Sequence, residues 1–422
     1  MKKILSGTVV LDLTRFFSGP QATLLLAGLG AEVIKIDDPR TGDPSAFSPP
    51  LAGPSGVSFH RQSDLDMGIA YLKRTRGKKS VALDLKSDTG HRVFMDMVKS
   101  ADVIVDNFSA GVAHRLGVDY ESLVAVNPSI ISCSLTGYGS TGTDRNLKAY
   151  DLMVQAAVGL MSLTGHEDGP PVKAGSPLSD AISGVFAASG ILAALLHKHR
   201  TGQGQAVDVS MADCLFALMF DEPIDCYDQL GLQHRQGNRI MRFSPFNAYA
   251  SKDGWVTLGA ASNADWEALL TTMQRVDLLD DLNMMSLAWR LSNNAQVDAV
   301  VAAWTATLTT AEIVQHLSNS HIPCSPVRTI DEVLSWQQLH ERDMIQPLWN
   351  PMTRTDVAAH GPGFPIKFSR TPAAYDAPAP LPGEHSSELL ARMAGLSMHD
   401  IFRLAEQGIT AGPDLPDRLF IS

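Results

Sequence analysis

Asp180 stands at the head of a long apolar run that reads SPLSD, then AISGVFAASGILAALLHKHR, then TG. Ser176, Pro177 and Ser179 are turn and cap residues, His197 to Arg200 are basic closers, and Gly202 is a stop. These signals predict one helix opening at Asp180 and closing at Arg200. A carboxylate placed there meets free backbone N–H groups and the positive end of the helix dipole. Two roles suit it, a helix cap and a catalytic carboxylate, and the same N–H groups serve both.

Four further groups carry candidate chemistry. Lys148, Tyr150 and Asp151 precede an apolar helix within 146–165. The run YLKRTRGKKS (71–80) holds five Lys or Arg in ten residues and is followed by Lys86, a concentration suited to a phosphate. Arg115 follows a strand end in NFSAGVAHRLG (107–117), a placement suited to a pyrophosphate. Arg239 and Arg242, in GNRIMRF, are candidates for a carboxylate substrate. Histidines do not cluster, and no GxSxG elbow supports Ser-His-Asp catalysis. Cys133, Cys214, Cys226 and Cys324 are scattered without a zinc pattern, so no metal is expected.

The elements that must position these residues read as α/β. TVVLDLT (8–14), AEVIKID (31–37), SVALDL (80–85), DVIVDNF (102–108), SIISCSLTG (129–137) and GQAVDVSM (204–211) are strand-like, with helical runs such as 19–30 and 88–100 between them. That alternation predicts βαβ units and a parallel sheet covered by helices. The first turn, TRFFSGPQ, lacks GxGxxG, which disfavours a nicotinamide dehydrogenase. From about 226 to 330 the pattern changes to a smaller α+β domain. It has a hairpin at 246–259 turning at Asp253-Gly254 and helices at 264–273 and 310–319. The expected division is 1–225 for a large domain, 226–330 for a small one, and 331–422 for a return to the large domain. A helical end is expected at 384–407, with a tail after about 410.

A net charge of −11 over 422 residues argues against a nucleic-acid partner. The helix after Asp180 reads as too short and too rich in Ser and Gly for a membrane span. The first residues read as a strand rather than a targeting signal. Few cysteines and no disulfide framework point to a reducing, cytoplasmic setting.

An ordered set of motifs resembles the class III CoA-transferases, the group that includes the formyl-CoA:oxalate and carnitine CoA-transferases and is related to the α-methylacyl-CoA racemases. The segments are VLDLTRFFSGP (10–20), LGAEVIKID (29–37), KKSVALDLK (78–86), ADVIVDNF (101–108), SLTGYGSTG (134–142), AYDLMVQAAVGLMSLTG (149–165), DGPPVKAGSPLSD (168–180), ILAALLHKHRTGQGQAVDVSM (191–211), DGWVTLG (253–259), HIPCSPVRTIDEV (321–333) and PGEH (382–385). The resemblance implies a Rossmann-like large domain built from both chain ends, a small domain between them, and two chains interlocked as a homodimer.

It also implies that Asp180 is the nucleophile, passing through an acyl anhydride and an aspartyl-CoA thioester. CoA-binding positions carry over to Phe17, Ser18, Leu83, Asp84, Leu85, Lys86, Asn107, Phe108, Arg115, Lys148, Tyr150, Asp151 and Met211. CoA and acyl-CoA enter as substrates rather than as a resident cofactor, beside a small carboxylic acid. Phe17-Ser18 stand where the formyl-CoA type often has Gln-Ala, Asp38 stands where an Arg often flanks adenine with Arg40 near it, and the glycine-rich closing loop is absent. The change at Phe17-Ser18 points to a different acid and the missing loop argues against oxalate and formate, while Arg239 and Arg242 make a dicarboxylate attractive. The racemases use a His where this chain has Tyr150, and a phenol titrating near 10 is a poor proton shuttle at neutral pH. Transfer is therefore favoured over racemisation. A CoA-binding protein without turnover is the remaining alternative.

Overall fold

A computed structural model describes residues 2–415, and the chain divides into two compact units. The larger takes the chain up to Leu160, Ala174–Glu222, and the stretch from Gln337 on. The smaller takes Met161–Lys173 and Pro223–Trp336.

The larger unit is α/β. Six parallel strands form its sheet: β1 (Val9–Asp12), β2 (Glu32–Asp37), β3 (Lys79–Leu83), β4 (Val103–Asp106), β5 (Ile131–Thr136) and β6 (Ala206–Ser210). Their spatial order is β3-β2-β1-β4-β5-β6, and the short strand Thr410–Ala411 adds antiparallel to β3. The direction of strand addition reverses between β1 and β4. Alternation along each strand sends residues to opposite faces. Leu11, Ile34, Val81 and Ile104 join one core with Phe94, Leu389 and Ile401. Val10, Val33, Val103 and Ile131 join a second core with Leu26, Ala187 and Ile191. Both faces are therefore covered, as a parallel sheet requires.

Five helices matter for the site: α1 (Ser18–Gly28), α2 (Ile69–Arg74), α3 (Asp151–Ala157), α4 (Leu178–Thr201) and α5 (Met211–Met219). α4 runs 24 residues, longer than its sequence suggested, and ends at Gly202 with φ 76°. It is long and apolar enough to cross a membrane by length and composition. It packs on α1, β5 and β6. Gly184 permits the approach to α1, because a Cβ there would meet the Ser18 carbonyl at 2.8 Å and the Gln21 side chain at 2.9 Å.

The smaller unit carries a three-stranded antiparallel sheet, Phe246–Ala250 with Trp255–Gly259 and Cys324–Pro326. The helices Asn263–Thr272, Asn294–Thr305 and Thr310–Asn319 bury Trp266, Leu269, Val297, Val301, Ile313 and Leu317 with it.

Two expectations need correction. The chain after 410 is not simply a tail, since Thr410 and Ala411 pair with Leu83 and Ala82, and Leu415 is buried. The residues beyond 415 lie outside the described part. The segment 331–422, for which only a helical end was expected, also contains a hairpin, Ile345–Asn350 with Thr355–Pro362. Its irregular register around Pro347 and Leu348 hides the period-2 pattern.

Candidate active site

Asp180 is the third residue of α4, not its cap. Pro177 holds the cap position and supplies no side-chain hydrogen bond. The missing cap comes from another helix. Asp151, first in α3, accepts from the Ser179 backbone N–H at 2.9 Å and from the Ser179 hydroxyl at 2.8 Å through Oδ1. Its Oδ2 accepts from Gln155 at 2.7 Å, and Gln155 in turn accepts the Ala174 N–H. The segment entering α4 is thus tied to α3 by a carboxylate and an amide.

Asp180 is half-buried, and its carboxyl is pushed up to about 6. Burial is the main cause, and the nearby Asp151 charge adds to it. Arg74 and a hydrogen bond from Ser18 pull the other way. The group is therefore an anion at neutral pH, yet only partly solvated.

The β1–α1 turn faces this helix start through Ser18 and is itself built on buried charge. Lys78 reaches Asp12 at 2.9 Å with both side chains fully buried. Asp12 also accepts from the Thr14 N–H and the Thr23 hydroxyl. Lys35 meets Asp43 at 2.7 Å and donates to the Thr14 carbonyl at 2.7 Å. Burial opposes the Lys35 charge, but Asp43, Asp37 and Asp12 together hold its ammonium above the usual range. From the β4 end, Asn107 clamps Arg15: its Oδ1 accepts the Arg15 N–H at 2.9 Å and its Nδ2 donates to the Arg15 carbonyl at 2.8 Å. Phe16, between these anchors, takes φ 67°, a left-handed conformation costing about 1–3 kcal/mol for a bulky residue. Arg74 donates to the Phe16 carbonyl at 2.6 Å and lies 4.0 Å over the Phe17 ring.

The basic run 71–80 is not a free phosphate patch. Lys78 is consumed by Asp12, and Lys79 pairs with Glu32 at 3.1 Å and Glu388 at 2.9 Å. Arg76 is buried, donating to the Lys73 and Pro362 carbonyls and stacking on Tyr375. Among these cations Arg74 was not singled out by the sequence, where a charge run gives no sign of which member turns toward a carboxylate.

The other candidates fall into separate places. Leu83 is buried in the sheet core, and Leu85 and Phe108 pack on that core. Asp84 and Lys86 follow β3 beside Arg40 and Asp38, where Arg40 meets Asp84 at 3.5 Å and Lys86 meets Asp38 at 3.9 Å. Arg115 is exposed at the end of a four-residue helix, Val112–Arg115. Lys148 and Tyr150 are exposed just before α3, with Tyr150 at 67 %. Met211, only 4 % exposed, belongs to the second core. Arg239 and Arg242 lie in the smaller unit. Arg239 meets Asp298 at 2.8 Å, and Asp298 also accepts from Tyr249 and Asn247, so an internal carboxylate fills that fork. No group of three or more His, Cys, Asp or Glu able to hold a metal occurs among the described residues.

The model for CoA-transferase family III matches residues 5–386. The chain belongs to CoA-transferase family III. As such it is an enzyme that moves CoA from an acyl-CoA thioester to a carboxylic acid. The family III chain is 31 % identical over 401 residues to a succinate–glutarate CoA-transferase of Agrobacterium fabrum, covering 93 % of this chain and 96 % of that one. It is 34 % identical over 386 residues to a succinyl-CoA:mesaconate CoA-transferase of Haloarcula hispanica, covering 90 % and 94 %. Among solved structures, a CAIB/BAIF family protein from Brucella suis matches with a TM-score of 0.79 at 28 % identity, covering 93 % of this chain and all of that one.

Proposed function

We propose that this family III CoA-transferase uses Asp180 as its nucleophile and a dicarboxylate as its acid substrate. The observation that carries the reading is the half-buried Asp180 carboxylate, pushed up to about 6 and set in the first turn of α4 beside Ser18 and Arg74. A carboxylate is a weak nucleophile, and partial desolvation strengthens it while leaving it ionised at neutral pH.

Attack by Asp180 on the thioester carbonyl forms an acyl anhydride and expels the CoA thiolate. The thiolate attacks the aspartyl carbonyl, giving an aspartyl-CoA thioester and the free donor acid. The acceptor carboxylate attacks that carbonyl, forming a second anhydride and expelling the thiolate again. The thiolate then takes the acceptor acyl group and restores Asp180. Each step exchanges one acyl bond for another, so no redox partner is needed.

Several features support CoA at this edge of the sheet. The strand order reverses between β1 and β4, and such reversal points are where doubly wound, Rossmann-like sheets bind nucleotides. The Phe17-Ser18 turn and Asn107-Phe108 follow those two strands. Arg40, Lys86 and Arg115 supply exposed cations for phosphates. Asp151 borders the nucleophile through Ser179, and Lys148 and Tyr150 are exposed just ahead of it in the chain. The dicarboxylate assignment draws on the succinate–glutarate and succinyl-CoA:mesaconate CoA-transferases to which the chain is similar. A part for Arg239 in acid binding would require opening its pair with Asp298. A homodimer is supported by exposed apolar side chains on three mutually packed helices: Leu152 and Met153 on α3, Val185, Phe186, Leu192 and Leu196 on α4, and Phe216 and Leu218 on α5.

The test is incubation of succinyl-CoA with glutarate, mesaconate and oxalate, read by mass spectrometry for new acyl-CoAs. New thioesters are expected from the native chain and none from Asp180→Asn. Hydroxylamine should convert Asp180 to its hydroxamate only in the presence of donor. Full turnover by Asp180→Ala would overturn the reading.

A further inference from the structure

We infer that Arg74 receives the distal carboxylate of a dicarboxylate substrate held at Asp180, and so sets the preference for diacids over monoacids. The inference rests on the transferase reading above. Arg74 closes α2 and is half-buried. Its single hydrogen bond among the described residues runs from Nη1 to the Phe16 carbonyl, and its plane is fixed over Phe17. No carboxylate of the described residues lies within ion-pair distance, unlike Lys35, Lys78 and Lys79. Burial disfavours its charged form, while Asp180 and Asp43, beyond ion-pair distance, favour it.

A guanidinium with Nε and Nη2 unused, locked in orientation and partly removed from water, is matched by a planar oxyanion that accepts two parallel hydrogen bonds. In CoA transfer one carboxyl of a diacid reacts with the aspartyl group. The other takes no part in the chemistry but must still be compensated once it leaves water. Arg74 is the cation the turn presents toward Asp180 for that purpose.

The decisive measurement is the ratio of kcat/KM for glutarate to that for monomethyl glutarate, with succinyl-CoA as donor. The two acceptors share length and reacting carboxyl and differ only in the distal charge. The native chain is expected to favour glutarate by at least about 30-fold, the scale for leaving a buried charge unpaired. Arg74→Gln, which keeps a donor for the Phe16 carbonyl, should bring the ratio to within about threefold of unity, mainly through loss of glutarate turnover. Arg74→Lys should retain part of the preference. Free CoA should bind both variants within about threefold of the native chain. A native ratio near one, or a ratio unmoved in both variants, overturns the assignment while leaving the transferase reading intact. A tenfold loss of free CoA affinity also overturns it and gives Arg74 to the CoA phosphates. Transfer to neither acceptor by the native chain, nor to any acid in the panel above, removes the diacid reading on which the assignment rests.

Discussion

Asp151 caps a helix to which it does not belong: its Oδ1 accepts the Ser179 N–H at 2.9 Å, one residue before Asp180. One carboxylate thus fixes the place of another and, through its charge, raises the pKa of the one it places. Asp151→Asn should separate these effects, because an amide oxygen still accepts from Ser179 but carries no charge. The acid limb of kcat/KM should then move to lower pH by less than about one unit. Asp151→Ala should also lose about 1 kcal/mol of stability, the usual cost of a lost cap, in urea unfolding.

Asp180 itself links activity to pH. Its folded pKa lies near 6, above the ordinary carboxyl value of 3.8. The fold therefore binds its proton more tightly than the unfolded chain does. The resulting stability is fully present below about pH 4 and is lost as pH rises through 6. Above that, the buried anion is a cost, so Asp180→Asn should be more stable than the native chain at pH 8 by on the order of 1–3 kcal/mol. The advantage should shrink toward pH 4, in denaturant titrations run at both values. Activity should run in the opposite sense: native kcat/KM rises through about pH 6, and Asp180→Asn shows no turnover.

Lys78 and Asp12 form a pair with no access to water, and Asp12 also holds the Thr14 turn. Lys78→Met leaves that carboxylate buried without its cation. The expected loss is about 3–5 kcal/mol, seen as a lower urea midpoint or as insoluble protein. The double variant Lys78→Met with Asp12→Leu should recover part of the loss. Equal loss in both would show that the charges themselves are not the problem.

Arg239, which is exposed, and Asp298 make another ion pair, in the smaller unit, shared with Tyr249 and Asn247. Arg239→Met should leave Asp298 with its two neutral partners and lower stability by no more than about 1 kcal/mol, since Arg239 is exposed. The ratio of glutarate to monomethyl glutarate turnover should stay within about twofold of the native value. A collapse of that ratio would move diacid recognition from Arg74 to Arg239.

The six parallel strands could be read from the sequence because each is a compact apolar run between turn signals, and the helices between them keep their period. The hairpin at 345–362 could not, since Pro347 and the register shift beside it break the alternation. Thr410–Ala411 is too short to have a period at all. Asp180 was visible as a special carboxylate, but its third position in α4 was not, because the cap that fixes the helix start comes from Asp151, 29 residues earlier. Asn107 was visible only as part of a motif, and its grip on Arg15 is a long-range contact between two strand ends. Arg74 was hidden for a similar reason. Its neighbours Lys78, Lys79 and Arg76 look alike in the sequence, and only tertiary partners show that these three are already engaged while Arg74 lies within the field of Asp180.

The Thr410–Ala411 strand gives the chain a fixed order of events during synthesis. Residues 223–336 leave the ribosome as a continuous stretch and can begin to organise at once. The large sheet has six strands by Ser210, yet its β3 edge stays open until about two hundred more residues have been made. At the bacterial or eukaryotic elongation rates of about 5–20 residues per second, that edge is bare for roughly ten to forty seconds. A chaperone that shields unpaired strands would meet Lys79–Leu83 as an open edge of the nascent chain throughout that interval.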